Sequence, residues 1–225
     1  MESDNFYPAT AMPDRVWWQV LWPDPKAVLL ALGIKAEMTV LDLCCGDGYF
    51  TAPLAALVKG KVVALDIDPD MLERARIEVA RSGTSVSRWI CANADCLSDL
   101  LSEPVDFILI ANTFHGVRDR AALARAAASV LKPGGRFAVV NWHQIPREQT
   151  PVLDKPRGPK TEMRMSPEQV RAVVEPAGFS LVDVIELQPY HYGVVFRICP
   201  ETITSRLASK GHANSKEGSV TVDTQ

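Results

Sequence analysis

Two short runs, Val40-Leu-Asp-Leu43 and Val62-Val-Ala-Leu-Asp66, are apolar at nearly every position until an acid at or near the end. A strand covered by helices on both faces reads this way, whereas a strand with one solvated face alternates. From about Met38 such runs alternate with helical patterns, which is the signature of a parallel sheet wrapped by helices. The pattern predicts strands at Thr39–Leu43, Lys61–Asp66, Ser87–Cys91, Val105–Ala111 and Gly135–Asn141, and helices at Phe50–Val58, Pro69–Arg81, Ala121–Leu131 and Ser166–Ala177. Asp68-Pro69 and Ser166-Pro167 supply helix starts with proline at the first position, and Lys132-Pro-Gly-Gly135 ends a helix and turns into the next strand. After Gly178, Ser180–Leu187 and Val194–Cys199 are joined by a connection short enough for an antiparallel pair and too short for a crossover. The expected fold is α/β, a doubly wound, mostly parallel seven-stranded sheet with an antiparallel last strand.

The chain has 225 residues, enough for one domain with a full core, a ligand site and an extension. Hydrophobic content of 47% and charged content of 23% lie in the ordinary globular range, and no run approaches a membrane span. Lys+Arg 24 against Asp+Glu 27 leaves a net charge of −3, without the basic footprint of a nucleic-acid or anionic-membrane binder. The five cysteines, Cys44, Cys45, Cys91, Cys96 and Cys199, form an odd set, and the N-terminus shows no secretory pattern. Reduced thiols in a cytoplasmic protein are therefore expected, with no disulfide framework and no metal site.

Residues 1–36 are expected to form an aromatic helical cap around Trp17, Trp18 and Trp22, packed on a ligand-binding domain at 37–199. Residues 200–225, rich in Ser, Thr, Lys and Gly, are expected to be a disordered tail.

The stretch Val40-Leu-Asp-Leu-Cys-Cys-Gly-Asp-Gly-Tyr-Phe-Thr51 is a buried strand turning through glycines into a helix, a device that brings backbone N–H groups to a ligand. Counted from Gly46 and Gly48, the third glycine of a dinucleotide fingerprint falls on Thr51, and the Gly60-Lys61 pair is followed by Val62, not by the Ser or Thr of a phosphate loop. Both of those motifs fail. What remains is Asp42 at the turn and, 24 residues later, Asp66 at the end of the next strand, where a carboxylate can take ribose hydroxyls.

Asp42-Leu-Cys-Cys-Gly-Asp-Gly48 resembles the first motif of the class I S-adenosylmethionine-dependent methyltransferases, [DE]-x-G-x-G-x-G, and the likeness runs from about Thr39 to Arg197. Cys44 replaces the first glycine, a change the motif accepts where that residue needs neither a positive φ nor contact with the ligand. The resemblance implies a Rossmann-like methyltransferase fold with S-adenosyl-L-methionine as cofactor. It implies that Asp42, Gly46 and Gly48, in a turn that includes Cys44, line the methionine end, and that Asp66 holds the ribose. Ile67 would pack on the adenine, with Ala94 and Asp95 beside it and Asp95 accepting from the amino group. Asn112, just past the fourth strand, would bring its backbone near the sulfonium, and the Leu131–Phe137 turn is a further hallmark.

Methyl transfer from a sulfonium is an in-line displacement that orientation and desolvation can largely supply, so the acceptor is harder to read than the cofactor. Asn112-Thr-Phe-His115 is not the Asp/Asn-Pro-Pro-aromatic motif of amino methyltransferases of DNA bases or glutamine, and no Pro-Cys nucleophile is present. A small-molecule acceptor is expected, without nucleic acid or membrane, in a monomer or homodimer. The segment resembles the ubiquinone/menaquinone group and the arsenite methyltransferases, although cysteines inside the cofactor motif are badly placed to hold arsenic. His115 and His143 are the candidate general bases, since imidazole titrates near working pH. His191 and Tyr192 fit a hairpin connection better. The loop Gln144–Met165 is long and net basic, the composition of a lid that binds a carboxylate or phosphate, or of a plain solvated loop. The competing functions are a nucleotide-binding oxidoreductase of similar fold and a non-catalytic regulatory subunit that binds the cofactor.

Overall fold

The structure, a computed structural model, describes residues 15–200 and 202. The expected tail beyond Pro200, apart from Thr202, and the first 14 residues of the expected cap lie outside the described residues.

The strands are β1 (Val40–Leu43), β2 (Val62–Asp66), β3 (Arg88–Cys91), β4 (Val105–Ala111), β5 (Leu131–Trp142), the two-residue pair β6 (Pro151–Val152) and β7 (Lys155–Pro156), β8 (Phe179–Leu187) and β9 (His191–Ile198). Seven of them form one sheet in the order β3-β2-β1-β4-β5-β9-β8, with β9 antiparallel to both neighbours and the other pairs parallel, as expected. The order reverses direction between β1 and β4, which opens a crevice at their carboxyl ends, the place where such sheets bind ligands.

The helices are α1 (Arg15–Leu21), α2 (Pro25–Ala31), α3 (Thr51–Leu57), α4 (Pro69–Arg81), α5 (Leu97–Leu100), α6 (Arg120–Ser129) and α7 (Pro167–Val174). On one face Leu29 of α2 and Leu54 of α3 pack with Val40, Phe107 and Ala138. On the other, Leu123 of α6 and Val170 and Val174 of α7 pack with Ile108, Phe137 and Val139. Full burial of each such Leu, Val, Ile or Phe side chain contributes about 1.5–3 kcal/mol. Asp68 caps α4 by accepting from the Asp70 and Met71 N–H groups, and Ser166 with Gln169 forms a reciprocal capping box on α7.

Several boundaries differ from expectation. α7 ends at Val174 and tightens into a 3-10 turn, Glu175–Ala177, because Pro176 has no N–H to continue the helix. β5 starts four residues early, at Leu131, which pairs with Val105 before an irregularity and the resumption of pairing at Arg136. β9 starts at His191, so His191 and Tyr192 are buried strand residues and not part of an exposed hairpin connection.

The Gln144–Met165 segment is ordered around Arg164, which is only 2% exposed. Its guanidinium donates to the carbonyls of Pro159, Ile145 and Arg157 and to Thr150 Oγ1, and lies 5.0 Å from the Trp142 ring. One cation of this segment, expected either in a ligand-binding lid or in a solvated loop, is thus the pin that folds it.

Candidate functional site

At the end of β1 the backbone turns through Cys44 (φ 60), Gly46 (φ 55) and Gly48 (φ 83). A Cβ on Gly48 would lie 2.8 Å from the Ala75 Cα, so a bare α-carbon is needed there for α4 to pack against the turn. Cys44 corrects the expectation that this position needs no positive φ. It occupies the left-handed region that the family motif gives to glycine, at a cost of about 1–2 kcal/mol.

The two acids at the turn are held differently. Asp42 is 3% exposed and accepts from Thr51 Oγ1 at 2.6 Å. Burial pushes its carboxyl up to about 7; the Thr51 hydrogen bond pulls the other way, and the nearby Asp66 charge adds to the rise. Asp66, 6% exposed, accepts the Gly46 N–H on Oδ2 at 2.8 Å and the Asp68 N–H on Oδ1 at 3.0 Å. Burial also raises its carboxyl above the usual range, against the backbone hydrogen bonds. A carboxylate has about four acceptor sites, so Asp66 fixes the turn and still keeps acceptor capacity for a ligand.

Beside Asp66, Ile67 is 38% exposed despite its apolar side chain. Ala94 begins the 3-10 turn Ala94–Cys96, while the side chain of Asp95 lies outside the described residues. Asn112 (φ 59) donates its N–H to the Val140 carbonyl at 2.8 Å, and its Oδ1 is buried without a hydrogen-bond partner. A buried acceptor left unpaired costs about 1–3 kcal/mol, so this atom fits a ligand donor at the end of β4. With Asp66, it leaves acceptor atoms at the ends of β4 and β2 that suit a ligand's N–H and hydroxyl groups.

His115 follows in the 3-10 turn Phe114–Gly116. Its Nδ1 lies 3.3 Å from Oδ1 of the buried Asn141, a geometry in which Nδ1–H donates and Nε2 carries the lone pair. Burial pushes the imidazole below its ordinary value, against the Asn141 hydrogen bond, so the ring is neutral at pH 7. His115 also lines a cleft of about 740 Å³ between its own turn, the Glu162–Met165 segment and α7.

His143 is placed elsewhere. Its Nε2 meets Glu186 Oε2 at 2.9 Å, its ring lies 5.0 Å from that of Tyr192, and it does not line that cleft. Of the two candidate bases, only His115 lines the cleft. Tyr192 donates its hydroxyl to the Met165 carbonyl at 2.6 Å. His191 is clamped between Trp22 and Trp142, ring centres at 4.4 and 4.1 Å, with neither ring nitrogen hydrogen-bonded.

The cap is tied to the glycine turn. Tyr49 Oη donates to the Trp22 carbonyl at 2.6 Å and lies 3.1 Å from that of Trp18, and Arg15 pairs with Glu78 at 2.9 Å and Asp47 at 3.6 Å. Trp18 and Trp22 are buried in the core with Phe50. Thr51, Tyr49 and Asn141 were not singled out from the sequence. Thr51 was visible only as the missing third glycine, and its hydroxyl proves to be the partner of Asp42.

Among the described residues no helix is long and apolar enough to cross a membrane. Residues 40–135 match a family model described as a methyltransferase domain. The chain is 32% identical over 180 positions to the ubiquinone/menaquinone biosynthesis C-methyltransferase UbiE of Escherichia coli (strain K12 / DH10B), covering 69% of this chain and 71% of that one. A crystal structure of a SAM-dependent methyltransferase from Aquifex aeolicus superposes with a TM-score of 0.66 at 28% identity, covering 84% of this chain and 95% of the other. The N-methyltransferase NodS from Bradyrhizobium japonicum WM9, in complex with S-adenosyl-l-homocysteine, shares the fold at 17% identity, with a TM-score of 0.62 over 84% of this chain and 94% of that one. The chain belongs to the class I S-adenosylmethionine-dependent methyltransferases and methylates a small molecule with that cofactor.

Proposed function

We propose that Asp66 binds the ribose hydroxyls, Ile67 packs on the adenine with Ala94 and Asp95 beside it, and Asp42, with the Cys44–Gly48 turn, faces the methionine end. Asn112 lies near the sulfonium, where its unpartnered Oδ1 suits an N–H of the ligand. When bound, the cofactor supplies an activated methyl group, and the protein's task is to orient the acceptor and exclude water. The cap built on Trp18 and Trp22 does the excluding, held over the turn by Tyr49.

His115 is the base that removes the acceptor's proton, from oxygen, sulfur or carbon, as the methyl group is taken up. One observation carries this reading: a neutral imidazole, oriented by Asn141 at the carboxyl edge of β5, lines a cleft large enough for a small molecule. His143, engaged by Glu186 outside that cleft, is the weaker candidate.

The test is a donor-dependent activity screen against small thiols, phenols, quinol precursors and carboxylates with mass detection. A product heavier by one methyl group names the accepting atom. His115→Gln should then lower kcat about 10²–10⁴-fold, the usual contribution of a positioned base, with cofactor binding unchanged. Equal kcat in His115→Gln would remove His115 from this role.

A further inference from the structure

Arg157 is a half-buried cation of the Gln144–Met165 segment that neither the crevice nor the cleft employs. Its backbone is fixed on both sides. The N–H donates to the Thr150 carbonyl at 3.1 Å, and the carbonyl accepts from Arg164 Nη2 at 2.9 Å and Thr150 Oγ1 at 3.0 Å. The next residue, Gly158, lies so close to Trp142 that a Cβ there would fall 2.8 Å from the indole ring. The guanidinium is held in another way. Among the described residues it makes no ion pair, and its Nε is buried without a hydrogen-bond partner. What it meets is the Trp17 ring of α1, with Cζ 5.2 Å from the ring centre. An indole attracts a cation to its negative face, most strongly where water is excluded.

This contact joins two bodies with different duties. α1 belongs to the cap, which is tied to the glycine turn by the Tyr49 hydroxyl on the Trp22 carbonyl and by Arg15 on Asp47. The segment carries the Glu162–Met165 wall of the cleft beside His115. α1 also packs on β6 at the start of the segment, but Arg157 reaches the wall itself, because its carbonyl holds Arg164. We propose that Arg157 is a positioning residue that, through Trp17, couples ligand binding at the glycine turn to the shape of the His115 cleft. The inference rests on the methyltransferase reading of that turn and deepens it by giving the basic segment a duty toward the cofactor. Two states differ in the contact: made, with the guanidinium over the ring, or broken, with the guanidinium in water. A ligand that fixes the turn fixes the cap, the cap presents Trp17 to Arg157, and Arg157 holds the wall through Arg164. By linkage, filling the cleft tightens the cofactor by the same factor. Arg157 itself touches neither ligand.

The test is hydrogen–deuterium exchange of the full chain with and without S-adenosylhomocysteine, alongside calorimetry. In the wild type the ligand should slow exchange at the Met163 and Arg164 amides, bonded to the Lys160 and Thr161 carbonyls, by about fivefold or more, the lower end of coupling between linked sites. Arg157→Gln should still bind the ligand and still gain protection at the Trp22 amide of the cap, while the slowing at Met163 and Arg164 is lost. Trp17→Leu should behave in the same way, and Arg157→Lys, which keeps a cation for the ring, should restore part of the effect. Unchanged exchange in β4 would show that these variants keep the fold. No slowing at Met163 and Arg164 in the wild type, or slowing kept in full by both Arg157→Gln and Trp17→Leu, would overturn the proposal. If S-adenosylhomocysteine gives no binding heat with the wild type, the methyltransferase reading of the turn is at fault. The joint is then decided by the ligand-free chain, where Arg157→Gln and Trp17→Leu should both speed exchange at Met163 and Arg164 several-fold, and unchanged rates would overturn it as well.

Discussion

With Asp42 facing the methionine end as proposed, its burial makes the affinity for S-adenosylmethionine depend on pH in a calculable way. In the ligand-free fold its carboxyl is pushed up to about 7 by burial, against an ordinary value of 3.8. A raised acid favours the fold when protonated. The stability it contributes is complete below about pH 4, falls as pH rises from 4 to 7, and is flat above, a total of about 4 kcal/mol at about 1.4 kcal/mol per pH unit. The ligand's ammonium and sulfonium charges reverse the preference, drawing the carboxyl toward its ionised form. Below pH 7 binding must then expel a proton, so affinity falls about tenfold per pH unit, and above pH 8 it levels off. Asp42→Asn keeps the shape and the Thr51 acceptor but removes the titration. Calorimetric titrations at pH 6, 7 and 8 should show the wild-type Kd improving by about tenfold while that of Asp42→Asn stays within about twofold. Chemical denaturation over the same range should show the variant gaining on the wild type as pH rises. Identical pH slopes in the two proteins would refute the reasoning, because the shared titration of the ligand's own amine would then explain everything.

Three further outcomes follow from the packing. Cys44→Gly should raise stability by up to about 1 kcal/mol, since relief of the φ 60 strain slightly outweighs the entropy glycine gains in the unfolded chain; a fall in the denaturation midpoint would show that the thiol's contacts outweigh the strain. His191→Phe should stabilise the fold by about 1–2 kcal/mol, because the ring keeps its place between Trp22 and Trp142 and loses two unpaired nitrogens; a lower Tm would point to a partner for the imidazole, such as an ordered water. Tyr49→Phe removes the donor that ties α1 to the glycine turn and should cost about 1 kcal/mol, with tryptophan fluorescence shifting to the red; an unchanged spectrum would show that Arg15 and packing hold the cap alone.

The sheet was readable because the signals for it are local. β4 and α4 fall at Val105–Ala111 and Pro69–Arg81 as expected, since an apolar run and the Asp68-Pro69 cap need no distant partner. The same holds for the glycine turn after β1 and for the places of Asp42 in β1 and Asp66 at the end of β2. Cross-strand and loop relations were not readable. Nothing in Asn141 announces that it orients His115 from 26 positions away, and nothing in Arg164 distinguishes the buried pin from the solvated cations beside it. His191 looked like a connection residue because its burial is imposed by Trp22 and Trp142, which reach it only in the fold. The φ of Cys44 is hidden in the sequence for a related reason: the turn's path is set by the Cys45 N–H bond to the Leu65 carbonyl and the Gly46 N–H bond to Asp66, contacts to β2 that β1 does not encode.

The central claim is that the crevice at the ends of β1, β2 and β4 holds S-adenosylmethionine through Asp66, and calorimetric titration of the wild type and Asp66→Ala with this ligand tests it most directly. The account predicts one site per wild-type chain and a loss of roughly 100-fold or more in the variant, the worth of two hydrogen bonds to a charged acceptor. A wild-type chain that gives no binding heat, or an Asp66→Ala chain that binds as tightly as the wild type, would contradict it.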